Sequence, residues 1–304
     1  MKVTFLGTGG ACPTPRRNVT AHLVRVKGES VLLDCGEGTQ RQLQKSAGRF
    51  SVHRIFFSHL HLDHVSGLPG YLGTMGLLGR TEPIRVYGPA GSRPYLQVLA
   101  GLAGRLDYEV EIQELDDGAV VTADGFRVVA ARVEHVGMCL GFRIEEDERR
   151  GKVDLARAAA VGLSPGPLLG RLLEEDVLQV GDRTIRREEV IGPSRPGRAV
   201  VFSGDSRPCA SLTALARGAD LLIHEATFLD ALREEAVARA HSTALEAART
   251  AVEAGARRLA LTHLSPRHQE TPELLLQEAR TLFPESLLPD DLDDLELPLD
   301  PSGS

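Results

Sequence analysis

The stretch Ser58-His59-Leu60-His61-Leu62-Asp63-His64 decides how this sequence is interpreted. It follows an apolar run at residues 54–57 that is typical of a buried strand. Neutral imidazole suits Zn²⁺, and a carboxylate adds a harder oxygen ligand. On a loop after a strand, the first two histidines can converge on one ion, while the aspartate and the last histidine turn toward a second. A solvated polar loop is the alternative, but this density of ligand side chains favours a metal site.

The composition is that of an ordinary globular protein. The chain has 304 residues, of which 42% are hydrophobic and 25% charged, and these values exclude a disordered, collagen-like or disulfide-scaffold protein. Its four cysteines include no C-x-x-C pair, which argues against a disulfide framework and a thiolate zinc site. No secretory leader is visible, and the uncharged stretch at residues 65–79 is shorter than a membrane span. We therefore expect a cytoplasmic protein with no membrane partner.

The net charge points away from nucleic acid only when the whole chain is taken together. The formal charge is −7, from 35 Lys and Arg against 42 Asp and Glu, whereas a phosphate backbone attracts basic surfaces. Six of the acidic residues lie within the last fifteen: Asp290, Asp291, Asp293, Asp294, Glu296 and Asp300. Without these six the charge is −1, so the charge of the whole chain says little about any local site.

Short β-rich runs bounded by glycine or polar residues alternate with helical patterns, which become more frequent late in the chain. The pattern predicts strands at residues 2–6, 22–26, 30–34, 54–58, 109–115, 118–121, 126–133, 198–202, 220–224 and 258–262. It predicts helices at residues 40–47, 91–106 and 243–254. This mixed, α+β pattern favours two sheets covered by helices.

Residues 148–192 do not fit this pattern. They contain a Pro-Gly-Pro turn, many charges and no strand alternation, and residues 149–171 are locally basic. We interpret them as an arm inserted into a single domain that spans residues 1–304. The acidic tail, residues 289–304, is expected to add one last strand near residues 292–297 and to have no catalytic role.

The H-x-H-x-D-H motif resembles the signature of the metallo-β-lactamase superfamily. The resemblance implies a four-layer αββα sandwich with further metal ligands where later strands end. The residues that match those positions are His135, Asp205 and His263. A single histidine after a strand is more often structural, but an ordered set of three such residues supports the resemblance. It also implies that Asp34 orients the ligands.

The same resemblance implies two Zn²⁺ per subunit, for which Mn²⁺ or Co²⁺ could substitute. The implied ligands are, for the first ion, His59, His61 and His135, for the second, Asp63, His64 and His263, and, as the bridge between them, Asp205. Two ions about 3.5–4 Å apart can stabilise both the attacking and the leaving oxygen of an in-line displacement.

Four further segments narrow the family. They are Pro13-Thr14-Pro15-Arg16-Arg17-Asn18, Phe202-Ser203-Gly204-Asp205-Ser206-Arg207-Pro208-Cys209, His224-Glu225-Ala226-Thr227 and His241-Ser242-Thr243. Together they resemble the ribonuclease Z family, over nearly all of residues 1–288. The resemblance implies an endonuclease that removes the 3′ trailer from precursor tRNA by in-line attack of a metal-bridging hydroxide. It would leave a 3′-hydroxyl on the tRNA and a 5′-phosphate on the trailer.

Roles for three catalytic residues follow from the resemblance. Asp63 would orient or deprotonate the attacking water while it binds the second ion. His241, positioned by Glu225, would donate a proton or stabilise the phosphate. A structural alternative for His241 is a position beside the Ser-Thr cap of the helix at residues 243–254, and the two roles are compatible.

Substrate contacts are implied both near the metals and in the arm. The residues concerned are Arg16, Arg17, Asn18 and Arg267 near the metals, and Gly166 and Pro167 in the arm. Paired arginines in a loop are also typical of solvated charge, and the arm could be a disordered charged loop. The resemblance instead implies that the arm grips the sugar-phosphate backbone of precursor tRNA. It further implies a homodimer, in which one subunit's arm holds tRNA for the other's active site.

Two other functions remain open from the residues alone. A small-molecule phosphodiesterase or another hydrolase of the superfamily would use the same metals, but would not need the arm. A metal-stabilised RNA-binding protein without activity would have lost a ligand or a catalytic residue, and none is missing. The histidines that match no ligand position are interpreted as structural or surface residues: His22, His53, His224 and His268.

Overall fold

Two seven-stranded β-sheets form the frame of the computed structural model, which describes residues 1–46 and 51–299. The first sheet has the order β16-β1-β2-β3-β4-β5-β6, with β1 (Lys2–Gly7), β2 (Ala21–Val26), β3 (Glu29–Leu33), β4 (Arg54–Phe56), β5 (Ile84–Pro89), β6 (Val110–Leu115) and β16 (Asp294–Glu296). The second has the order β15-β14-β13-β12-β9-β8-β7, with β7 (Val120–Ala123), β8 (Phe126–Val133), β9 (Cys139–Glu146), β12 (Ala199–Phe202), β13 (Leu221–Glu225), β14 (Leu259–Thr262) and β15 (Ser286–Leu287).

Helices cover the outer face of each sheet. They are α1 (Thr39–Lys45), α2 (Leu62–Val65), α3 (Leu68–Leu77), α4 (Arg93–Gly101), α8 (Ala210–Leu215), α9 (Arg233–Ala238), α10 (Ala244–Ala254) and α11 (Glu273–Arg280), with 3₁₀ turns at Asp230–Leu232 and Pro266–His268. No helix in the described part of the chain is both long and apolar enough to span a membrane.

The main core lies between the two sheets. Apolar side chains from both sheets form one buried cluster, in which the rings of Phe56 and Phe142 meet edge to face with centroids 5.3 Å apart. A second cluster joins the first sheet to α1, α3 and α4, and a third joins the second sheet to α8, α10 and α11. The layers therefore run helix, sheet, sheet, helix, which confirms the predicted αββα fold.

Most predicted strands are present within one or two residues, but α3 was not predicted. Glycine normally disfavours a helix interior, and α3 contains Gly70, Gly73 and Gly76. Gly70 permits close approach to α1, because a methyl group on this residue would lie 2.5 Å from Nε2 of Gln40. Tight packing of the helix therefore outweighs its poor intrinsic propensity. The sequence also gave no signal for β5 or β9.

Parallel strands bring the predicted site residues to one edge of the fold. β12, β13 and β14 are parallel neighbours, as are β3, β4, β5 and β6. Because parallel strands end at the same edge, the loops that follow them meet there. The loops after β4, β8, β12 and β14 carry the predicted metal ligands.

The acidic C-terminal segment is part of the first sheet. β16 pairs antiparallel with β1, in register Lys2 with Glu296, close to the strand predicted near residues 292–297. The carboxylate of Asp291 accepts hydrogen bonds from Thr8 N and Oγ1, Asn18 N and Gln42 Nε2 at 2.6–3.0 Å. This segment therefore ties together three parts of the N-terminal half. Asp300 and Ala47 lie outside the described residues.

Residues Glu146–Gly197 form a second compact unit, which contains the predicted arm. It is made of α5 (Leu155–Ala160), α6 (Pro167–Glu174), the hairpin strands β10 (Val177–Val180) and β11 (Arg183–Arg186), and α7 (Arg187–Val190). The hairpin corrects the expectation that this segment lacks strands. β11 reads Arg-Thr-Ile-Arg, with one apolar residue, so the sequence shows no clear alternation there. A small buried cluster, including Leu163, Leu172 and Ile185, gives the unit its own core.

Candidate metal centre and catalytic site

The fold brings the seven predicted metal ligands together. Three groups of ligand atoms, each within 4.8 Å of one another, are present: His59, His61, His135 and Asp205; Asp63, His64 and His263; and Asp205, His241 and His263. The first two groups correspond to the two predicted ions. The third adds His241, which was predicted as a catalytic residue rather than a ligand.

Oδ2 of Asp205 lies at the centre of this cluster. Its distances to imidazole nitrogens are 3.6 Å for His59 Nε2, 3.4 Å for His64 Nε2, 4.0 Å for His135 Nε2, 3.3 Å for His263 Nε2 and 3.9 Å for His241 Nδ1. Oδ2 of Asp63 lies 3.5 Å from His64 Nε2 and 3.3 Å from His263 Nε2. One carboxylate oxygen of Asp205 thus faces both ligand groups, as a bridging ligand must.

Neighbouring polar groups hold the ligands in place. Asp34 contacts His64 Nδ1 at 2.7 Å and accepts hydrogen bonds from the backbone and hydroxyl of Ser58. Thr227 Oγ1 lies 2.9 Å from Nδ1 of His263. Asp34 has a φ of 57° and His263 a φ of 56°, a left-handed conformation that costs free energy in residues other than glycine. The predicted orienting role of Asp34 matches these contacts.

Gly10, three residues before the segment at residues 13–18, packs directly on the cluster. Gly10 donates its N–H to the carbonyl of Leu264, and any side chain on Gly10 would overlap the imidazole of His263. The next residue, Ala11, donates its N–H to Oδ2 of Asp63 at 2.7 Å. Glycine is therefore required at position 10 by the close approach of the ligand ring.

Two ring nitrogens show that the cluster fits a metal. Nε2 of His64 and Nε2 of His135 are buried and have no hydrogen-bond partner among the described residues. Each histidine uses its other nitrogen, since His135 Nδ1 donates to the carbonyl of Ala240 at 2.8 Å and His64 Nδ1 contacts Asp34. A buried polar atom without a partner is costly. A divalent cation near Asp205 would give both nitrogens a partner.

The protonation states also suit a cation. Burial opposes ionisation of Asp63 and Asp205, but the adjacent imidazoles outweigh it and hold the pKa of both carboxyls below the usual range. Burial lowers the pKa of His59 and His61, which favours neutral imidazole. The pKa of His64 is raised by Asp205 and Asp34 despite burial, so a proton competes with a cation for Nε2.

His241 and Glu225 form the predicted pair. Nδ1 of His241 lies 2.9 Å from Oε1 of Glu225, which is fully buried. The same carboxylate accepts hydrogen bonds from Ser206 N, Thr227 Oγ1 and Ser242 N. These contacts fix the carboxylate, and through it the ring of His241.

Two further residues position His241 and were not predicted. Arg207 donates to the carbonyl of His241 at 2.6 Å and to both carboxylate oxygens of Glu246 at 2.5 and 2.6 Å. Glu246 is buried and forms the capping box of α10 with Thr243, two residues after His241. The spacing Thr-x-x-Glu is a recognisable capping-box signal. The partnership of Glu246 with Arg207 carries no such local signal.

The predicted substrate contacts differ in how accessible they are. Arg16 is exposed, and Asn18 donates to the carbonyl of Glu37 at 2.7 Å. Arg17 is buried, and its guanidinium is bonded to Thr8 Oγ1, the carbonyl of Pro289 and the carboxylate of Asp290. This geometry argues against the predicted substrate contact, because Arg17 instead fastens the C-terminal segment.

The remaining predicted contacts lie at the surface. Arg267 forms an ion pair with Glu235 at 2.9 Å, and its guanidinium lies 5.1 Å from the ring centroid of Phe228. Gly166 and Pro167 are exposed at the first turn of α6, within the second unit. All three are therefore reachable by a large substrate, although Arg267 already has partners.

Known proteins resemble this chain over its full length. The ribonuclease Z of Methanosarcina acetivorans is 42% identical over 303 residues, 99% of each chain. That of Myxococcus xanthus is 46% identical over 282 residues, 92% of each chain. A family model described as Anti-Pycsar protein Apyc1 matches residues 1–149.

Solved structures give the same result. The human short-form tRNase Z superposes with a TM-score of 0.72 at 31% identity, over 98% of this chain and 100% of that chain. The metallo-β-lactamase fold protein YhfI from Bacillus subtilis, at 22% identity, has a TM-score of 0.70 over 97% of this chain and 98% of that chain, and supports the fold alone. The identity over nearly the full length and the shared architecture agree with the sequence motifs, and the architecture is the metallo-β-lactamase fold. This chain belongs to the ribonuclease Z family.

Proposed function

We propose that the protein is an endoribonuclease that removes the 3′ trailer from precursor tRNA and leaves a 3′-hydroxyl on the tRNA and a 5′-phosphate on the trailer. One observation carries the proposal: the His241–Glu225 pair lies beside the ligand cluster, with His241 Nδ1 only 3.9 Å from Oδ2 of Asp205. A proton donor next to a candidate bridging ligand is what cleavage of an alkyl phosphodiester requires, because the departing ribose oxygen must be protonated.

The cluster would hold two divalent cations, with Zn²⁺ preferred by its imidazole-rich donor set and Mn²⁺ or Co²⁺ as substitutes. His59, His61 and His135 would bind one ion and Asp63, His64 and His263 the other, with Asp205 shared. When bound, two such ions neutralise phosphate charge and provide a nucleophile at neutral pH.

Side chains of the protein would orient the attacking water and donate the proton. Asp63 accepts the N–H of Ala11 with Oδ2, which fixes one carboxylate oxygen near the place where water would be oriented. Since Nδ1 of His241 is bonded to Glu225, Nε2 is the atom that can donate a proton. That proton goes to the 3′ oxygen of the tRNA as its bond to phosphorus breaks, and the oxygen becomes a hydroxyl.

The second unit would act as the tRNA-binding arm. Its positive and negative side chains nearly balance, but four arginines line one cavity of about 600 Å³: Arg150, Arg157, Arg186 and Arg187. Only Asp176 and Glu188 oppose them in that lining. Arg187 pairs with Asp176 and Arg157 with Asp154, which reduces what these two arginines add to the positive charge. Concentrated guanidinium groups suit a sugar-phosphate backbone recognised by its shape. The arginine-lined cavity therefore supports tRNA binding by this unit, whereas the nearly balanced charge of the whole unit does not.

The homodimer is proposed on an apolar helix face. Tyr95, Val98 and Leu102 follow one face of α4 and its end with exposures of 63%, 66% and 70%, a spacing that places them side by side. We expect a second copy to cover this face. A Val98→Glu variant should shift the mass measured by analytical ultracentrifugation from dimer to monomer, whereas Leu274→Glu on α11 should leave it as in wild type. A monomeric wild type would contradict the proposal.

The test of function is cleavage of labelled precursor tRNA with Zn²⁺ or Mn²⁺ supplied. Asp63→Ala should abolish it. A second variant replaces residues 150–194 by Gly-Ser, because Arg149 and Arg195 already pair as a β-bridge and leave a short gap. This variant should lose tRNA cleavage and keep hydrolysis of bis(p-nitrophenyl) phosphate. Retained tRNA cleavage would favour a small-molecule phosphodiesterase, and a wild type that cuts neither substrate would refute the nuclease proposal.

A further inference from the structure

A groove of about 480 Å³ lies between the 13–18 loop, α1 and the C-terminal segment. Its cationic lining residues are Arg16, Arg17, Arg41 and Lys45, and its anionic ones are Glu37 and Asp291. The groove is thus positive in a protein of net charge −7. Arg41 and Lys45 belong to α1 and were not among the predicted substrate contacts.

The charges that are free to bind a ligand keep the positive balance of the full lining. Arg17 is neutralised by Asp290 at 2.6 Å, and the carboxylate of Asp291 already accepts four hydrogen bonds. The side chains of Arg16, Arg41 and Lys45 are exposed and make no hydrogen bond or ion pair within residues 1–46 and 51–299. Three available cations therefore face one concave surface, opposed by Glu37.

The groove is held in shape before any ligand arrives. Thr14 accepts the N–H of Arg17 through its hydroxyl at 3.0 Å, and donates its own N–H to the carbonyl of Arg17 at 2.8 Å. Asn18 is fixed at both its backbone and side chain, by Asp291 and by the carbonyl of Glu37. Binding to such a surface therefore requires little ordering of the loop backbone.

The same chain segment connects the groove to the cluster. Gly10 packs on His263 and Ala11 donates to Asp63, and Arg16 follows five residues later. One short segment, residues 10–16, therefore carries both contacts to the cluster and a lining residue of the groove. No aromatic side chain is among the described lining residues, so bases have nothing to stack on there.

We propose that Arg16, Arg41 and Lys45 form a binding site for consecutive backbone phosphates of the RNA strand next to the cleaved bond. The proposal rests on the proposed nuclease function. Phosphates suit the site because it offers separate cationic donors and no base-reading surface. The phosphates belong either to the trailer or to the acceptor end of the tRNA, and trailer length separates these two sources.

The test compares Arg41→Gln/Lys45→Gln with a matched control, Arg105→Gln/Arg249→Gln, which removes two exposed cations elsewhere. For the groove variant, KM for precursor tRNA should rise about tenfold. The slope of log(kcat/KM) against log[salt] should flatten by about 1.4–1.8, since each phosphate contact contributes ~0.7–0.9. The charge-conserving Arg41→Lys/Lys45→Arg variant should restore both values. The control should match wild type.

Each variant is measured on precursors with a two-nucleotide and a twenty-nucleotide trailer. A KM effect that grows with trailer length assigns the groove to the trailer, and an equal effect on both assigns it to the acceptor end. A groove variant with the KM and salt slope of the control overturns the proposal. Wild type that cleaves neither precursor overturns the nuclease function itself, so the two failures are distinguishable.

Discussion

Glu225 holds His241 through a hydrogen bond of 2.9 Å, and this contact sets the charge of the imidazole as well as its direction. Burial works against the protonated ring, but the carboxylate of Glu225 outweighs burial and raises the pKa of His241 to about 9. The histidine is therefore protonated at neutral pH, which is the state in which it can act as a proton donor.

A pH–rate profile tests this role. Because the protonated form is required, cleavage of precursor tRNA should fall as the pH rises toward about 9, the pKa of His241 in the metal-free protein. Bound cations should shift this fall to lower pH. In Glu225→Gln the negative charge is lost, so the alkaline limb should move to lower pH. His241→Ala should slow cleavage by about 10²–10⁴-fold and have no alkaline limb from this group. An unchanged alkaline limb in His241→Ala would assign it to another residue.

Substitution of Arg207 should slow cleavage most for substrates with a poor leaving group. It grips the carbonyl of His241 and the carboxylate of Glu246, so Arg207→Met should loosen the proton donor. We expect cleavage of precursor tRNA to slow by roughly 10–100-fold. Bis(p-nitrophenyl) phosphate should be affected far less, because nitrophenolate departs without a proton.

Two variants complete this measurement. Arg207→Lys keeps the charge but not the two-pronged contact with Glu246, and should recover only part of the rate. Arg249→Met, at an exposed position on α10, should behave as wild type. Equal losses on both substrates in Arg207→Met would indicate general damage to the fold rather than a positioning role.

Gly10→Ala should weaken metal binding although it replaces none of the predicted ligand residues. The added methyl group overlaps the imidazole of His263, so the ring must move. Displacing the support of a ligand typically costs 10–100-fold in metal affinity, and isothermal titration with Zn²⁺ should show this loss for one of two ions. Gly101→Ala, where nothing lies within 4 Å, serves as the control. Wild-type affinity in Gly10→Ala would show that the cluster can shift as a whole.

His22 should make the metal-free protein sensitive to acid. It is fully buried between the rings of Phe5 and Phe202, and burial lowers its pKa from 6.5 to about 3, with help from His64 and His263. Below pH 6.5 the unfolded chain takes up a proton that the folded chain refuses until about pH 3. Above pH 6.5, His22 therefore does not lower the free energy of unfolding. As the pH falls below 6.5, the free energy of unfolding decreases.

Urea unfolding of chelator-treated protein at pH 7.5 and 5 measures this effect. Between pH 7.5 and pH 5, the free energy of unfolding should fall by about 2 kcal/mol more in wild type than in His22→Leu. Each pH unit below 6.5 contributes about 1.4 kcal/mol to this difference. Both ring nitrogens of His22 lack hydrogen-bond partners within the described residues, so the leucine removes no such bond. Equal acid losses in the two proteins would contradict this account.

The metal cluster was predictable because its signals are local or ordered. His59, His61, Asp63 and His64 lie within six residues, and the remaining ligands each follow a strand. The structure places all of them within one cluster, although the metals they bind stay a prediction. The strands were predictable for the same reason, since alternation and bounding glycines are visible within a few residues.

What escaped prediction depends on partners distant in sequence. The sequence does not show that Arg17 meets Asp290, or that Arg207 meets Glu246, because both pairings are created by the fold. Nor does it show that Gly70 of α3 is tolerated, since that depends on close packing against Gln40. The hairpin of the second unit was missed because β11, Arg-Thr-Ile-Arg, has only one apolar residue and so shows no clear alternation.

The pairing of β16 with β1 has a consequence for how the protein is made. β1 gains its outer neighbour only when Asp294–Glu296 have been synthesised, and Asp291 reaches the 13–18 loop from the same late segment. A nascent chain therefore carries its predicted metal ligands before the loop beside them is secured. This part of the fold is completed only after residues 291–296 have been synthesised.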